Sequence, residues 1–289
     1  MTEEKKTSSI QRAREKKEDR PEGVRLKPVL AIPIERNIHQ LAFYSLLNVA
    51  RYRNYQMLQV GYGRTDFIRN KYVKLFLEET DGTHLVMLDN DHIHPVDIVD
   101  QLMKWPARNP EIKVVGGLNF RRGAPFDPCA FIEGEDGKFY PPYTWERGLV
   151  RVDVIGTGSI CIAREVFEAI DKAYDEGVID KPYFWNDYSK YKNDEHPGED
   201  MGFCSHLRQL GIKMWVDTTV TSPHIIDTTV QEDTYRQYLE LHNAGAITYE
   251  GGKAQIKNGV PTNGANPIKS SKPKNLPKKG AKSVAKIPA

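Results

Sequence analysis

Short apolar runs alternate along this chain with longer segments that carry apolar residues on one side. "KPVLAIPI" at 27–34 reads as a strand and "IHQLAFYSLLNVARYR" at 38–53 as an amphipathic helix. "YQMLQV" is a second strand. "RTDFIRNKYVKLFLEE" predicts a helix with apolar positions at Phe67, Tyr72, Val73, Leu75 and Phe76. "HLVML" at 84–88 is a third strand, and "KVVGGLNF" at 113–120 a fourth. Between them "PVDIVDQLMKW" predicts a helix with proline in its first turn. Apolar strands separated by helices imply parallel β-α-β units covered on both faces. After residue 128 the rhythm changes, and "CAFIE", "KFYPP" and "LVRVDVIGTGSICIA" predict antiparallel additions. The helix "REVFEAIDKAY", a polar and aromatic loop over 181–197, the helix "EDMGFCSHLRQLG" and a last strand, "KMWVDTT", complete the pattern. The expectation is an α/β fold, a mostly parallel sheet with antiparallel additions, in one domain over residues 25–250.

Composition sharpens this outline at its ends. The net charge of +2 over 289 residues conceals a partition. Residues 253–289 carry nine lysines and no acid, whereas residues 28–252 hold 23 basic and 33 acidic side chains. Residues 1–24 are charged and poor in large apolar groups, and residues 251–289 are rich in Pro, Lys, Ser, Asn and Gly. Both segments are expected to be disordered. The cationic tail reads either as a solvated linker or as a contact for an anionic partner. Cys129, Cys161 and Cys204 form no C-x-x-C pair, which excludes a zinc knuckle or disulfide framework built on that spacing. The opening residues contain no apolar core of a signal peptide, and no later run suffices to span a bilayer. A soluble, cytoplasmic protein is the expectation.

The chemistry concentrates where the third strand ends. "LDNDHIHPVD" places Asp89, Asp91, His92 and His94 within six positions of an apolar strand, a set costly to desolvate without a positive partner. In an open parallel sheet this is the end at which ligands bind. On an extended backbone Asp89 and Asp91 face the same way and converge on one ion, with His92 and His94 opposite. Hard oxygen donors suit Mg²⁺ or Mn²⁺. The competing reading is a polar turn that caps the helix after Pro95. Gly156, Thr157 and Gly158 read as a tight turn or as a close backbone approach to a ligand. Glu199 and Asp200 read as helix caps or as working carboxylates. Tyr183, Phe184 and Trp185 read as a stacking surface or as pins for their loop. Arg121 and Arg122 are adjacent, so one of them at most faces the same site. "GYGRTD" at 61–66 has Asp66 where a dinucleotide fingerprint needs its third glycine, which argues against a nicotinamide role.

Taken in order, "LVMLDND", "VGGLNFRR", "VDVIGTGSICIAREVFE", "GEDMGFCSHLRQLGIKMWVD" and "SPHI" resemble the nucleotide-sugar-dependent glycosyltransferases of the GT-A fold, in particular their family-2-like branch. The resemblance runs from Pro28 to His224. It implies transfer of a sugar from a UDP- or GDP-linked donor to an acceptor hydroxyl, dependent on Mn²⁺ or Mg²⁺. It implies an inverting reaction with Asp200 as general base and Glu199 beside it. Ala31–Pro33 would border the nucleotide base, and Arg64, Asp66, Arg69 or Asn70 would touch base or phosphate. Asp89 would sit near ribose and metal, with Asn90 next to it in the donor site. Asp91 and His224 would ligate the ion, and Gly158 would let the backbone approach the sugar. The acceptor is not specified, although the lysine-rich tail suits an anionic one, a modified nucleic acid included. Three rival readings differ in kind. A nucleotidyltransferase needs a glycine-rich phosphate loop after the first strand, where "AIPIERNIHQ" has no glycine. A phosphoester hydrolase needs His92 and His94 turned toward the aspartates. A non-catalytic binding module keeps the fold without turnover.

Overall fold

Side chains of the first strand, β1 (Pro28–Ala31), alternate between two apolar layers, and the same alternation recurs through the sheet. The computed structural model describes residues 26–34, 37–123, 126–142, 144–186, 198–226 and 240, with the backbone of 247–250 and 253–256. The chain divides into one compact unit ending at Ile226 and a second beginning at Asp227. In the second unit, strands Ile247–Glu250 and Lys253–Ile256 pair antiparallel. Both charged segments expected to be disordered, apart from these strand residues, lie outside the described residues, as does 187–197 of the polar loop.

In the first unit, β1 is followed by α1 (Gln40–Arg53), β2 (Gln56–Leu58), α2 (Thr65–Glu79), β3 (His84–Leu88), α3 (Ile98–Arg108) and β4 (Val114–Leu118). Then come β5 (Ala130–Glu133), β6 (Phe139–Tyr140), β7 (Leu149–Val152), β8 (Val154–Ile155) and β9 (Ser159–Ala163). α4 (Arg164–Asp175), α5 (Glu199–Gln209) and β10 (Met214–Thr221) complete it. A seven-stranded sheet has the order β2-β1-β3-β9-β4-β10-β7. The β1–β2, β1–β3 and β4–β10 pairs are parallel, while β9 and β7 run antiparallel to their neighbours. A second, antiparallel sheet has the order β6-β5-β8. This is the α/β architecture expected from the sequence, antiparallel additions included.

Helices cover both faces because the central strands β3, β9 and β4 are buried on both sides. Val29, Leu85, Met87, Ile160 and Ile162 pack with Tyr72, Val73 and Phe76 of α2, Phe167 of α4 and Phe203 of α5. Leu30, Val86, Leu88 and Cys161 pack on the other face with Leu46 and Val49 of α1 and Leu102 of α3. Each such buried side chain contributes about 1.5–3 kcal/mol. α2 ends where Arg164 binds its last carbonyls, with Nη2 donating to Phe76 O and Thr80 O, each at 2.8 Å. α3 starts at Ile98 rather than at Pro95. Pro95 lies in the preceding turn, whose carbonyl accepts from Ile98 N at 3.1 Å. Fully buried Asp217 fastens β10 to α3, accepting from Trp105 Nε1 at 2.8 Å and pairing with Lys104 Nζ at 2.7 Å. Burial alone would raise this carboxyl, but Lys104, Thr219 and Trp105 outweigh it and hold it below the usual range. β10 is thereby set in place, and His224 follows it by three residues.

Candidate active site

β3 and β10 are separated in the sheet by β9 and β4, yet the chains leaving them meet. His92 and His224 form an isolated antiparallel bridge, with Ile93 N donating to Pro223 O at 2.9 Å and Ile225 N to Asp91 O at 2.8 Å. The backbone turns at Asn90 and Asp91 instead of remaining extended. His92 therefore comes round to the carboxylate side, with Nδ1 2.8 Å from Asp91 Oδ1. This differs from the alternation expected along an extended chain. His224 Nε2 lies 3.1 Å from the other oxygen, Asp91 Oδ2. The imidazoles of His92 and His224 stack at 4.0 Å, and those of His92 and His94 at 5.8 Å.

Asp91, His92 and His224 each offer a ligand atom within 4.8 Å of the others. Burial alone would raise the Asp91 carboxyl, but hydrogen bonds with His224 and His92 hold it far below the usual carboxylate range. Burial alone would lower the His224 imidazole, and the bond to Asp91 reverses this and raises it. His224 Nδ1 donates to Phe120 O at 2.8 Å, so in the neutral ring the lone pair is on Nε2. One carboxylate oxygen and an imidazole nitrogen with its tautomer fixed are a donor set suited to a divalent cation.

Asp89 has a different partner. Arg69, 1% exposed on α2, donates from Nη2 to Asp89 Oδ1 at 2.8 Å and to Oδ2 at 3.1 Å. Its Nε stands 3.7 Å from Glu199 Oε1 and has no hydrogen-bond partner among the described residues. Arg69 remains charged although burial opposes it, because Asp89, Asp200 and Glu199 surround it. Burial and then the negative neighbour Asp200 raise the Glu199 carboxyl, against the pull of Arg69. Burial likewise raises Asp89, with Arg69 opposing. A single guanidinium thus serves a cluster of acids, a deficit of positive charge that a cation would relieve.

The Gly156-Thr157-Gly158 turn joins the two halves of the site. Thr157 Oγ1 donates to Asp200, Gly158 O accepts from Asp89 N at 2.9 Å, and Gly156 N donates to Cys129 O at 2.7 Å. A Cβ on Gly158 would lie 2.8 Å from Asn119 Nδ2 and 3.0 Å from His92 Cε1. One on Gly156 would lie 2.7 Å from Cys129 Cβ. Both glycines are needed for contacts with the protein's own side chains. Asp200 and Glu199 occupy the first turn of α5 after Gly198, where Asp200 accepts from Thr157 and Glu199 lies beside Arg69. The knot after β3 does not cap α3, because its oxygens go to Arg69, His92 and His224.

Other predicted positions fall nearby or elsewhere. Arg64 and Asp66 pair with each other at 2.7 Å at the start of α2. Asn70 is engaged with the backbone of Phe184, Nδ2 donating to its carbonyl at 2.7 Å and Oδ1 accepting from its amide at 3.0 Å. Pro33 is buried beyond β1, and Asn90 Nδ2 donates to Asn37 O at 3.1 Å. Phe184 is fully buried and stacks on Phe203 at 4.6 Å, while Tyr183 bonds Asp171, so this pair pins its segment. Of the adjacent arginines, Arg122 reaches the site, with Nη1 3.3 Å from Asp91 Oδ2. The inward turn of His92 and the burial of Arg69 were not read from the sequence. Arg69 is signalled by its spacing, one after Ile68 and three before Tyr72 on the buried stripe of α2.

No family profile and no curated protein matches the chain. Solved structures resemble it in fold at low identity. One described as "A197 from STIV" is 18% identical over 70% of this chain and 87% of its own, with a TM-score of 0.47. GalNAc-T7 with UDP, GalNAc and Mn²⁺ is 12% identical over 75% of this chain and 48% of its own, at 0.48. CMP:2-keto-3-deoxy-manno-octonic acid synthetase complexed with CTP is 9% identical over 76% and 99%, at 0.39. At these scores the likenesses assign no activity. Among the described residues no helix is long and apolar enough to cross a membrane.

Proposed function

We propose that this chain is a divalent-metal-dependent glycosyltransferase of the GT-A type, taking a sugar from a nucleoside-diphosphate donor to an acceptor hydroxyl with inversion. The observation that carries this reading is the meeting of Asp91 and His224 from two non-adjacent strands, beside the Asp89–Arg69 pair and the Thr157–Asp200 contact. Asp91 and His224 would hold Mn²⁺ or Mg²⁺, with His92 orienting the carboxylate from its far oxygen. The bound cation would neutralise charge developing on the diphosphate leaving group. Asp89, fixed by Arg69, would accept from hydroxyls of the donor. Asp200, oriented by the Thr157 hydroxyl, would take the proton of the attacking acceptor hydroxyl. Arg69, 1% exposed and bonded through Nη2 to Asp89, would act by holding Asp89 and not as a phosphate ligand.

A second reading, metal-dependent phosphoester hydrolysis, is favoured by one observation, the turn of His92 toward Asp91, which meets half of what that chemistry requires, since His94 faces the Asp89 carbonyl and Ser222 instead. One experiment separates the two. A thermal-shift panel of UDP, GDP and their sugars, each with and without Mn²⁺, would show stabilisation by ion and one nucleotide together if the transferase reading holds. Asp200→Asn would then keep donor binding and lose transfer. Turnover of simple phosphoesters with no response to any sugar nucleotide would replace this reading with hydrolysis.

A further inference from the structure

Asp91 Oδ2 is contacted from two sides, by His224 Nε2 at 3.1 Å and by Arg122 Nη1 at 3.3 Å. These contacts differ in how firmly they are held. The His224 ring is fixed by its bond to Phe120 O and by its stack on His92, which is itself buried. Arg122 lies on the chain leaving β4, beyond the pairing of Phe120 with Pro128 and of Arg121 N with Asp127 O. Its side chain is 64% exposed, against 33% for Asp91. An ion pair with so exposed a partner is weakly held and screened by solvent. A divalent cation on Asp91 Oδ2 would repel a guanidinium at that distance, so the two compete for one oxygen.

We propose that Arg122 is an exchange residue for the cation. It occupies Asp91 in the metal-free protein, yields that oxygen when a divalent ion enters, and is then free to pair with the anionic diphosphate brought to the ion. A guanidinium suits this second partner because its fork of donors matches phosphate oxygens. This inference rests on the metal site of the proposed function and adds a consequence that this site alone does not carry. Anion and cation should bind cooperatively through Arg122, since the diphosphate rewards the state in which Arg122 has left Asp91.

The test measures Mn²⁺ affinity of the full chain by electron paramagnetic resonance, with and without inorganic pyrophosphate, for the wild type, Arg122→Gln and Asp91→Asn. The Arg122→Gln protein should bind Mn²⁺ alone about three- to tenfold more tightly than the wild type, because the competitor is gone. It should also lose most of the further gain that pyrophosphate gives the wild type. Arg122→Lys, which keeps the charge, should bind Mn²⁺ alone about as the wild type does. Unchanged or weaker Mn²⁺ binding by Arg122→Gln, with a wild-type site that Asp91→Asn abolishes, would overturn the exchange alone. Wild-type Mn²⁺ binding indifferent to Asp91→Asn would overturn both the exchange and the proposed function.

Discussion

Fully buried Arg69 pairs with partly buried Asp89, and a single guanidinium nitrogen reaches both carboxylate oxygens, at 2.8 and 3.1 Å. Arg69 comes from the inner face of α2 and Asp89 from the end of β3, so the pair ties the helix to the floor of the site. Arg69→Ala would leave Asp89 without its cation and release Glu199 from the same partner. The expected loss in denaturant unfolding is at most the ~3–5 kcal/mol of a fully buried pair, because Asp89 and Glu199 keep some access to solvent. Arg69→Met combined with Asp89→Asn should recover part of that loss, since position 89 then carries no unpaired charge and only Glu199 is left without its partner.

His94 spans the two segments that supply Asp91 and His224. Its Nε2 meets Asp89 O at 2.8 Å and its Nδ1 meets Ser222 Oγ at 2.9 Å. Burial lowers this imidazole to about 4, so it is neutral at pH 7, and Nε2 donates to the carbonyl while Nδ1 accepts from the hydroxyl. Removing the ring should loosen the spacing without touching the ion. His94→Ala should weaken Mn²⁺ binding by at least about tenfold in titration calorimetry, as loss of outer partners does elsewhere. An unchanged affinity would show that the spacing is set without it.

Gly158 tests how closely the site is packed. A methyl group there meets Asn119 Nδ2 at 2.8 Å and His92 Cε1 at 3.0 Å, and both neighbours are buried. Gly158→Ala should cost about 1–3 kcal/mol in unfolding experiments and should weaken Mn²⁺ binding by displacing His92. The same substitution at exposed Gly123, where a Cβ meets nothing within 4 Å, should do neither.

His84, at the start of β3, gives the pH dependence a sign. Burial lowers its folded value to about 4, below the ordinary imidazole value of 6.5. Its contribution to stability is therefore complete above the unfolded value and is lost as pH falls through the folded one. Between pH 7 and 4.5 the loss from this group is about 2–3 kcal/mol. Carboxylates titrate over the same range, so the measurement is a difference. His84→Gln should flatten the stability profile by that amount relative to the wild type.

Much of the fold was legible in the sequence because burial on two faces leaves an unbroken apolar run. β3 occupies the five residues "HLVML" expected for it, and α2, α4 and β4 fall within two residues of their predicted bounds. The site was legible as a collection of residues but not as a set of pairings. Period-two alternation puts Asp89 beside Asp91 on one ion only if the strand continues. A turn at Asn90 ends it, bringing His92 to Asp91 and leaving Asp89 to Arg69. A charged residue on a helix next to a suspected phosphate site reads as a ligand. Arg69 lies instead on the buried stripe with Ile68, Tyr72, Val73 and Phe76, while Phe67, counted among the apolar positions, is 55% exposed. Long-range bridges such as His92 with His224 have no local signature, because they depend on strand order.

The most direct measurement is anomalous diffraction at the manganese edge from crystals soaked in Mn²⁺ and a nucleoside diphosphate. A peak within coordinating distance of Asp91 Oδ2 and His224 Nε2, with the diphosphate oxygens completing its shell, is the predicted result. An absent peak at that position, with Asp91 still paired to His224 and Arg122 while the nucleotide binds elsewhere, would contradict it.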